Sequence, residues 1–307
     1  MRVLRDYQFA QPRDRGASVA IGNFDGVHRG HQHVLGLAKR VGVPLGVVTF
    51  EPHPREFFAP DAPAFRLMNA EARASRLEKL GVDLLAELSF DTRLSGLSAE
   101  AFVRDVLVGG LGISHAVVGA DFCFGKGRKG TAESLRAMGA DLGFDVTIAE
   151  LLEGDAGAVS STAIRAALSD GRPRDAAAML GHWHRIAGPV LHGEKRGREL
   201  GYPTANMDLE GLHVPKPGVY AVTVEVRDGP HAGQYGGVAN LGYRPMFARE
   251  TPNLETYLFD FSGDLYGTHL SVGLVDYLRG EAKFDSLEAL IVQMDADQAA
   301  ARAALAP

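Results

Sequence analysis

One ten-residue segment, Gly22–His31 (GNFDGVHRGH), constrains the fold of this chain more than any other part of the sequence. It follows the apolar run Ser18–Ile21, which is typical of a buried strand. After it, apolar residues recur at the spacing of one buried helix face: Val34, Leu37, Ala38 and Val41. The pattern predicts a strand, a glycine turn and a helix, and the amides at such a helix N-terminus favour a phosphate ligand.

Two histidines of this segment, His28 and His31, lie three residues apart and therefore on one face of the predicted helix. From that face both side chains can reach the α-phosphate of a nucleotide, where they would stabilise the charge of the non-bridging oxygens and of a departing pyrophosphate. Taken alone, the same residues are also compatible with a glycine turn that carries two surface histidines.

Length and composition narrow the class of protein. The chain has 307 residues, which predicts two domains, and its 46% hydrophobic and 23% charged content is typical of a soluble globular enzyme. A net charge of -6 argues against a nucleic acid or membrane partner. The single cysteine, Cys123, excludes an internal disulfide and fits a reducing compartment. With neither a membrane-span pattern nor a signal peptide in the sequence, we expect a cytoplasmic protein.

The two halves of the sequence differ in periodicity. Up to about residue 180, apolar runs alternate with helical patterns, which predicts βαβ units and a parallel sheet. The strands are predicted at 44–50, 82–85, 116–119 and 144–148, and the helices at 71–80, 98–107 and 131–138. Ligands of such sheets bind beyond the carboxyl ends of the strands, which is where Gly22–His31 lies.

After about residue 185, glycine and proline separate short apolar runs, which favours an antiparallel barrel or sandwich. These runs lie at 219–226, 235–241, 254–261 and 270–278. Helical spacing returns at the end of the chain, in Leu287, Leu290, Ile291 and Met294. We therefore predict an α/β N-terminal domain at 1–185 and a β-rich domain with a terminal helix at 186–307.

A second hydroxyl-rich motif, Val159–Arg165 (VSSTAIR), precedes a short helical pattern. Ser161 and Thr162 are residue types that cap helices, and capping alone accounts for them. Arg165 follows one turn later, where its guanidinium would point at an anion bound at the helix start.

The third informative stretch is His192–Asn206, which is rich in glycine and basic residues and ends in the motif PTAN (203–206). Its first part predicts a flap that closes over a polyphosphate, with Gly197 and Arg198 among the contacting residues. Thr204 and Asn206 lie two apart, so a strand directs both side chains to one face. A hydroxyl and an amide oxygen suit Mg²⁺ when phosphates complete the shell, although a simple turn into a strand also explains the motif.

Glu255 stands in an otherwise apolar strand pattern, Asn253–Phe261. A carboxylate there is disfavoured unless it is exposed or catalytic. As a general base it would take the proton from a hydroxyl that attacks a γ-phosphate. The alternative is a surface glutamate at a sheet edge.

Four motifs of the first half resemble the adenylyltransferase half of bacterial bifunctional riboflavin kinase/FAD synthetases: GNFDGVHRGH, TFEPHP (49–54), VVGADFCFGKGRKG (117–130) and VSSTAIR (159–165). The resemblance implies a Rossmann-like fold of the HxGH nucleotidyltransferase superfamily. It implies that His28 and His31 contact the ATP phosphates and that Ser161, Thr162 and Arg165 form a second phosphate-binding motif. The residues that would line the nucleotide site are Gly22, Asn23, Phe24 and Asp25. Cys123 stands where the family usually carries arginine.

The second half resembles the riboflavin kinase half of the same family, through RGRELGYPTAN, PKPGVYAV, GVANLGYRPMF, ETYLFDFSGDLYG and LRGEAKFDSLEAL. The resemblance implies a six-stranded antiparallel β-barrel with a terminal helix. It implies ATP and Mg²⁺ near Thr204 and Asn206, Glu255 as the base, and Arg279 near the flavin-side loop.

The expected protein is thus a bifunctional enzyme that phosphorylates riboflavin to FMN and adenylylates FMN to FAD, releasing pyrophosphate and using ATP in both steps. Its expected partners are the small molecules riboflavin, FMN and ATP, and it is expected to be a monomer or weak homo-oligomer. Two alternatives remain: a kinase whose N-terminal half is inactive or uses another acceptor, and a flavin- or RNA-binding regulator.

Overall fold

The computed structural model describes residues 1–150, 153–154, 157–192, 202–246 and 249–306. The chain divides into two compact units. One comprises Met1–Pro63 and Arg73–Val159, and the other comprises Ala64–Ala72 and Ser160–Pro307. A short internal segment of the N-terminal half thus belongs to the second unit, which no local sequence pattern indicates. The boundary near residue 185 was predicted for the functional halves and stays a prediction.

The first unit is built on a parallel sheet, as the alternating pattern predicts. Its strands are β1 (Arg2–Leu4), β2 (Ser18–Ile21), β3 (Leu45–Glu51), β4 (Leu84–Ser89), β5 (His115–Gly119), β6 (Cys123–Phe124), β7 (Gly130–Thr131), β8 (Asp145–Ala149), β9 (Glu153–Gly154) and β10 (Gly157–Ala158). Six of them lie in the order β1-β4-β3-β2-β5-β8, all parallel, while β6 with β7 and β9 with β10 form small antiparallel pairs.

The order of this sheet makes β2 the strand at which the connections change direction. From β2 the chain proceeds to β3 and β4 on one side and then returns to β5 on the other. Connections that leave a strand in opposite directions open a crevice beyond its carboxyl end. Gly22–His31 begins at that end of β2, so the topology puts the segment where such sheets bind nucleotides.

The helices predicted in the first half lie near their expected positions, and two further short helices, at 54–58 and 92–95, were not predicted. The observed helices are α1 (Arg29–Ala38), α2 (Pro54–Phe58), α3 (Ala70–Lys79), α4 (Thr92–Ser95), α5 (Ala99–Ala101) and α6 (Ala132–Leu142). The chain continues from α5 as a π-helix over Phe102–Leu111, so the helix predicted at 98–107 changes its hydrogen-bond pattern partway.

The buried face predicted for α1 is wrong in part. Leu35 and Ala38 are buried, whereas Leu37 is 39% and Val41 105% exposed. The helix ends at Ala38, so Val41 lies in the turn before β3 and no helical face can bury it. Only the part of the pattern that lies within the helix carries information about packing.

The second unit contains a six-stranded antiparallel sheet that curls into a barrel. Its strands are β11 (His184–Pro189), β12 (Thr204–Asp208), β13 (Gly218–Val226), β14 (Gly233–Met246), β15 (Arg249–Leu258) and β16 (His269–Arg279), and its helices are α7 (Ser161–Ser169), α8 (Pro173–Leu180) and α9 (Leu287–Ala304). The order is β11-β16-β13-β14-β15-β12, and a bridge from Leu191 to Asn206 connects the two edges.

Strand β13 illustrates how the barrel is filled. Tyr220, Val222 and Val224 point into the barrel core, as the two-residue alternation predicts. Ala221, on the opposite face, packs with Phe259 and with Ala301 of α9, so the terminal helix covers the outside of the barrel. None of the described helices is long and apolar enough to cross a membrane.

Candidate functional site

A strained turn joins β2 to α1. Phe24 has φ +52° and Val27 has φ +42°, a region that side chains other than glycine rarely adopt, and Gly26 between them has φ +84°. Phe24 is 1% and Val27 0% exposed, so apolar burial holds both residues in this conformation. Asn23 is exposed and Asp25 is buried, and together with Gly22 they form the rest of the turn.

The two histidines lie against one another at the start of α1. His28 is the N-cap, and its Nδ1 accepts the backbone N–H of His31 at 3.3 Å. The rings stack with centroids 3.7 Å apart, and the Phe24 ring lies 5.0 Å from that of His31. The structure therefore brings His28, His31 and Phe24 together, and the cap hydrogen bond fixes the orientation of the first imidazole.

Burial keeps this pair neutral. Desolvation lowers the pKa of His28 to about 4. Desolvation, together with the neighbouring His28, also holds the pKa of His31 well below its usual range. Because Nδ1 of His28 accepts a hydrogen bond, the neutral ring carries its hydrogen on Nε2. Within the described part of the chain, His31 Nδ1 is buried without a hydrogen-bond partner, a condition that a ligand can relieve.

The second of the resemblance motifs, at 49–54, spans the end of β3 and the turn into α2. His53 caps α2 by accepting the Arg55 N–H at 3.1 Å, so the motif forms a rigid turn into a helix. That helix carries Phe57 and Phe58, whose rings pack at 5.4 and 5.8 Å from that of Phe90. Phe58 is 68% exposed. These rings present an aromatic surface next to the rigid turn.

The hydroxyl motif lies at the start of α7 in the second unit. Ser160 is the N-cap, with Oγ accepting from the Ala163 N–H at 3.2 Å. Ser161 and Thr162 therefore occupy the first two helical positions, where their backbone amides point out of the helix end. Arg165 is held by its own unit, because Nη1 donates to the Phe65 carbonyl at 3.3 Å and the guanidinium lies 5.6 Å from the Phe65 ring.

A row of side chains crosses five adjacent strands of the barrel on the face that α9 covers. Asn206 of β12 pairs with Glu255 of β15, which pairs with Asn240 of β14. The row continues through Val219 of β13 to Arg279 of β16. Residues directly opposite one another in a sheet share a face. Asn206, Glu255 and Arg279, 49 and 24 residues apart in sequence, are thus parts of one surface.

The part of this surface from Glu255 to Arg279 forms the floor of a cavity of about 340 Å³, which we call the larger cavity. Its opposite wall is α9. Its residues include Thr204, Asn240, Glu255, Arg279 and Asp297. At its edge the Tyr202 ring lies 5.0 Å from that of Tyr257, and the Tyr202 hydroxyl donates to Asp295. That hydrogen bond, with a contribution from burial, raises the pKa of Tyr202 to about 12.

A smaller cavity, of about 80 Å³, adjoins Thr204 on its other side and includes Asn206 and Asp264. Asn206 is 6% exposed, and its Nδ2 lies 3.5 Å from the Thr204 carbonyl, which directs Oδ1 away from that group. Hydroxyl and amide oxygens fit Mg²⁺ only when phosphates supply further oxygens. Among the described residues, no three His, Cys, Asp or Glu side chains are arranged to hold a metal.

The sequence patterns did not identify several residues of the larger cavity. Two residues that they did predict for the kinase site cannot be compared with the structure. Asn240 stands two residues before a glycine in a long strand, and Asp297 lies in a helix rich in charged residues, so neither stands out locally. Only the register of the sheet and the packing of α9 identify them. Gly197 and Arg198 of the predicted flap lie outside the described residues.

Comparison with known proteins agrees with this two-part architecture. The family model for FAD synthetase matches residues 10–163, and the model for riboflavin kinase matches residues 180–305. A solved structure from Streptococcus pneumoniae, described as a macrolide-efflux protein, has a TM-score of 0.84 and 32% identity, covering 98% of each chain.

Two curated proteins match along essentially the whole chain. The bifunctional riboflavin kinase/FMN adenylyltransferase of Pseudomonas fluorescens is 46% identical, covering 100% of this chain and 99% of that protein. The protein of the same description from Escherichia coli strain K12 is 39% identical, covering 98% of this chain and 97% of that protein. Sequence, fold and both family models therefore agree that this chain belongs to the family of bifunctional riboflavin kinase/FMN adenylyltransferases.

Proposed function

We propose how the two activities of this family, riboflavin phosphorylation and FMN adenylylation, are distributed over the chain. Residues 1–185 carry out adenylyl transfer and residues 186–307 carry out phosphorylation, with ATP as the donor in both reactions. The ranges matched by the two family models, 10–163 and 180–305, support this division.

In adenylyl transfer, a phosphate oxygen of FMN attacks the α-phosphorus of ATP, the new bond forms FAD, and pyrophosphate leaves. The stacked, neutral histidines are the observation that supports this assignment. Nε2–H of His28 points away from its cap bond and donates to a phosphate oxygen, while His31 stabilises charge that develops on the leaving group. Gly22, Asn23, Phe24 and Asp25 contact the nucleotide through their turn.

Two further sets of residues contribute to adenylyl transfer. Ser161 and Thr162 offer helix-start amides to an anion, and Arg165 supplies a fixed positive charge in the same motif. The aromatic surface of Phe57, Phe58 and Phe90 suits stacking with the isoalloxazine ring of FMN.

In phosphorylation, the terminal hydroxyl of riboflavin attacks the γ-phosphorus of ATP, and ADP leaves. Glu255 accepts the hydroxyl proton, as its position in the floor of the larger cavity supports. That cavity, of about 340 Å³, falls within the range that small-molecule ligands occupy. Asn240 and Arg279 bind polar groups of the flavin along the same row.

The nucleotide of this reaction binds on the side of the smaller cavity. Thr204 and Asn206 would hold Mg²⁺ together with the ATP phosphates, and the contacts of Gly197 and Arg198 with the polyphosphate are proposed from the sequence alone. When bound there, the ion would neutralise phosphate charge. Asn206 and Glu255 are directly opposite in the register of β12 and β15, which supports a reaction between nucleotide and flavin where the two cavities adjoin.

One experiment tests which half of the chain carries out which reaction. The products formed from riboflavin, ATP and Mg²⁺ are separated by chromatography for the wild type, His28→Ala and Glu255→Gln. His28→Ala should accumulate FMN without FAD, whereas Glu255→Gln should make no FMN but convert added FMN to FAD. Loss of both activities in a folded variant of either kind would contradict the assignment.

The same assay with FMN and ATP alone decides whether the N-terminal half is an active adenylyltransferase or uses another acceptor. We further propose that the protein is cytoplasmic, acts as a monomer or weak homo-oligomer, and binds neither nucleic acid nor membranes. Sedimentation at working concentration tests the oligomeric state.

A further inference from the structure

A buried charge cluster that the proposed chemistry does not use lies beside the histidine turn. The Arg73 side chain is 1% exposed, and its Nη2 donates to Glu51 Oε2 at 2.7 Å and to Glu87 Oε2 at 2.8 Å. Glu87 is itself 6% exposed. Glu51 is 33% exposed, so two of the three charges are buried. Burying that pair contributes little net stability, because desolvation opposes its attraction, whereas its geometry becomes tightly fixed.

The same arginine reaches the turn that precedes the histidines. The backbone carbonyl of Asn23 accepts from Thr49 Oγ1 at 3.1 Å and lies 3.5 Å from Arg73 Nη1. Thr49 is fully buried and stands opposite Glu87 in the register of β3 and β4. Two side chains from separate elements, β3 and α3, are thus directed at one carbonyl oxygen.

The residue after that carbonyl contacts the site. Phe24 follows Asn23 with φ +52°, so its conformation depends on external support. Its ring centroid is 5.0 Å from that of His31, and the ring of His31 stacks at 3.7 Å on that of His28. A continuous path of contacts therefore leads from Arg73 and Thr49, through the Asn23 peptide and Phe24, to His31.

We infer that Thr49 and Arg73 are positioning residues of adenylyl transfer: they fix the Asn23 carbonyl and thereby hold the Phe24 ring against His31. Neither side chain touches a reacting atom. The inference rests on the proposed role of His31. It predicts that loss of the Thr49 hydroxyl slows the chemical step while substrate binding is retained, because the imidazole is displaced and the rest of the turn persists.

The test uses Thr49→Val, which keeps the shape of the side chain and removes its donor, and Thr49→Ser, which restores the donor. FAD formation from FMN and ATP is measured at saturating and limiting FMN, and FMN formation from riboflavin by the same chain reports its integrity. Thr147→Val is the matched control, because it also removes a hydroxyl bond in this sheet, to His115 at 2.9 Å, away from the turn.

We expect Thr49→Val to lower kcat for FAD formation about tenfold with KM for FMN within about twofold, and Thr49→Ser to recover most of it. Thr147→Val should match the wild type. Arg73→Lys keeps one positive charge for the two carboxylates but lacks the second nitrogen, Nη1, that faces the Asn23 carbonyl, so it should lower kcat further. Wild-type kcat in Thr49→Val would overturn the inference, and so would a parallel loss of FMN formation.

A double-mutant cycle with His31→Gln separates this inference from the proposed function. If Thr49 acts through His31, adding Thr49→Val to His31→Gln should cause less than a twofold further loss. Additive tenfold losses would overturn the positioning role and leave the role of His31 intact. Full activity of His31→Gln alone would instead contradict the proposed function.

Discussion

Arg279 and Asp297 form a two-pronged ion pair that joins the last strand of the barrel to helix α9. Nε of Arg279 lies 2.9 Å from Oδ1 of Asp297, and Nη2 lies 2.7 Å from Oδ2. Gln293, one turn earlier in α9, donates to the same Oδ1 at 2.9 Å. Because both members of the pair line the larger cavity, their geometry determines how α9 covers the proposed flavin site.

Replacing Asp297 with asparagine should weaken this attachment. The substitution leaves Arg279 without its counter-charge at a site where the carboxylate is 7% exposed. We expect the second unit to lose about 2 kcal/mol of unfolding free energy and the KM for riboflavin to rise about fivefold. FAD formation from added FMN should be unchanged.

The control is Asp260→Asn, which breaks the pair between Asp260 and Arg302 of the same helix. That pair is exposed at 78% and 45%, so its loss should leave both the stability of the second unit and riboflavin binding close to those of the wild type. Equal effects of the two substitutions would mean that attachment of α9 does not depend on burial of the charge.

Asn253 orients the proposed base. Its Nδ2 donates to Glu255 Oε1 at 3.2 Å from two residues earlier in β15, which favours acceptance of the substrate proton by the other oxygen. Asn253→Ala should lower kcat for FMN formation about fivefold, with little change in the KM for riboflavin. Steady-state kinetics measure both, and a change confined to KM would argue against this orientation role.

Tyr202 contributes its ring to the larger cavity and its hydroxyl to α9. Tyr202→Phe keeps the ring contact with Tyr257 and removes the bond to Asp295, so the KM for riboflavin should rise only about threefold. Tyr202→Ala also removes the ring and should raise it about tenfold. Because the pKa of Tyr202 is about 12, its hydroxyl remains protonated and a donor up to pH 10. Flavin binding should therefore persist between pH 7 and 10 in both the wild type and Tyr202→Phe.

The second unit should lose stability in mild acid because of His184. This residue is 3% exposed, and desolvation, with smaller effects of His213 and His182, lowers its pKa from 6.5 to about 3. Below pH 6.5 the unfolded chain therefore binds a proton at His184 that the folded chain does not bind. The free energy of unfolding consequently falls as the pH falls. Between pH 7 and pH 5 the loss from this group is about 2 kcal/mol.

Urea unfolding followed by the fluorescence of Trp183, the single tryptophan of the chain and the neighbour of His184, measures this loss. His184→Gln removes the titrating group and should flatten the dependence over the same range. An unchanged pH dependence in that variant would assign the acid sensitivity to other groups.

Several features could be predicted from the sequence because their signals are local. The alternation of apolar runs and helical patterns predicted most strands of the two six-stranded sheets to within about five residues, but β1, β11 and the two-residue strands β6, β7, β9 and β10 were not predicted. The ordered motifs predicted the family. The buried face of α1 failed because the pattern continued beyond the end of the helix. Ser160, rather than the following hydroxyls, caps α7, since only one residue at a helix start has cap geometry.

The sequence by itself determined the elements, the family and the residue types at both sites, since periodicity and motif spacing act over a few residues. Only the tertiary structure decided which of these residues meet. Strand register placed Asn240 between Glu255 and Arg279, and packing of α3 brought Arg73 to the carbonyl of Asn23. Such pairings form because the fold buries many side chains from distant parts of the chain at the same time. A short window of the sequence therefore does not predict them.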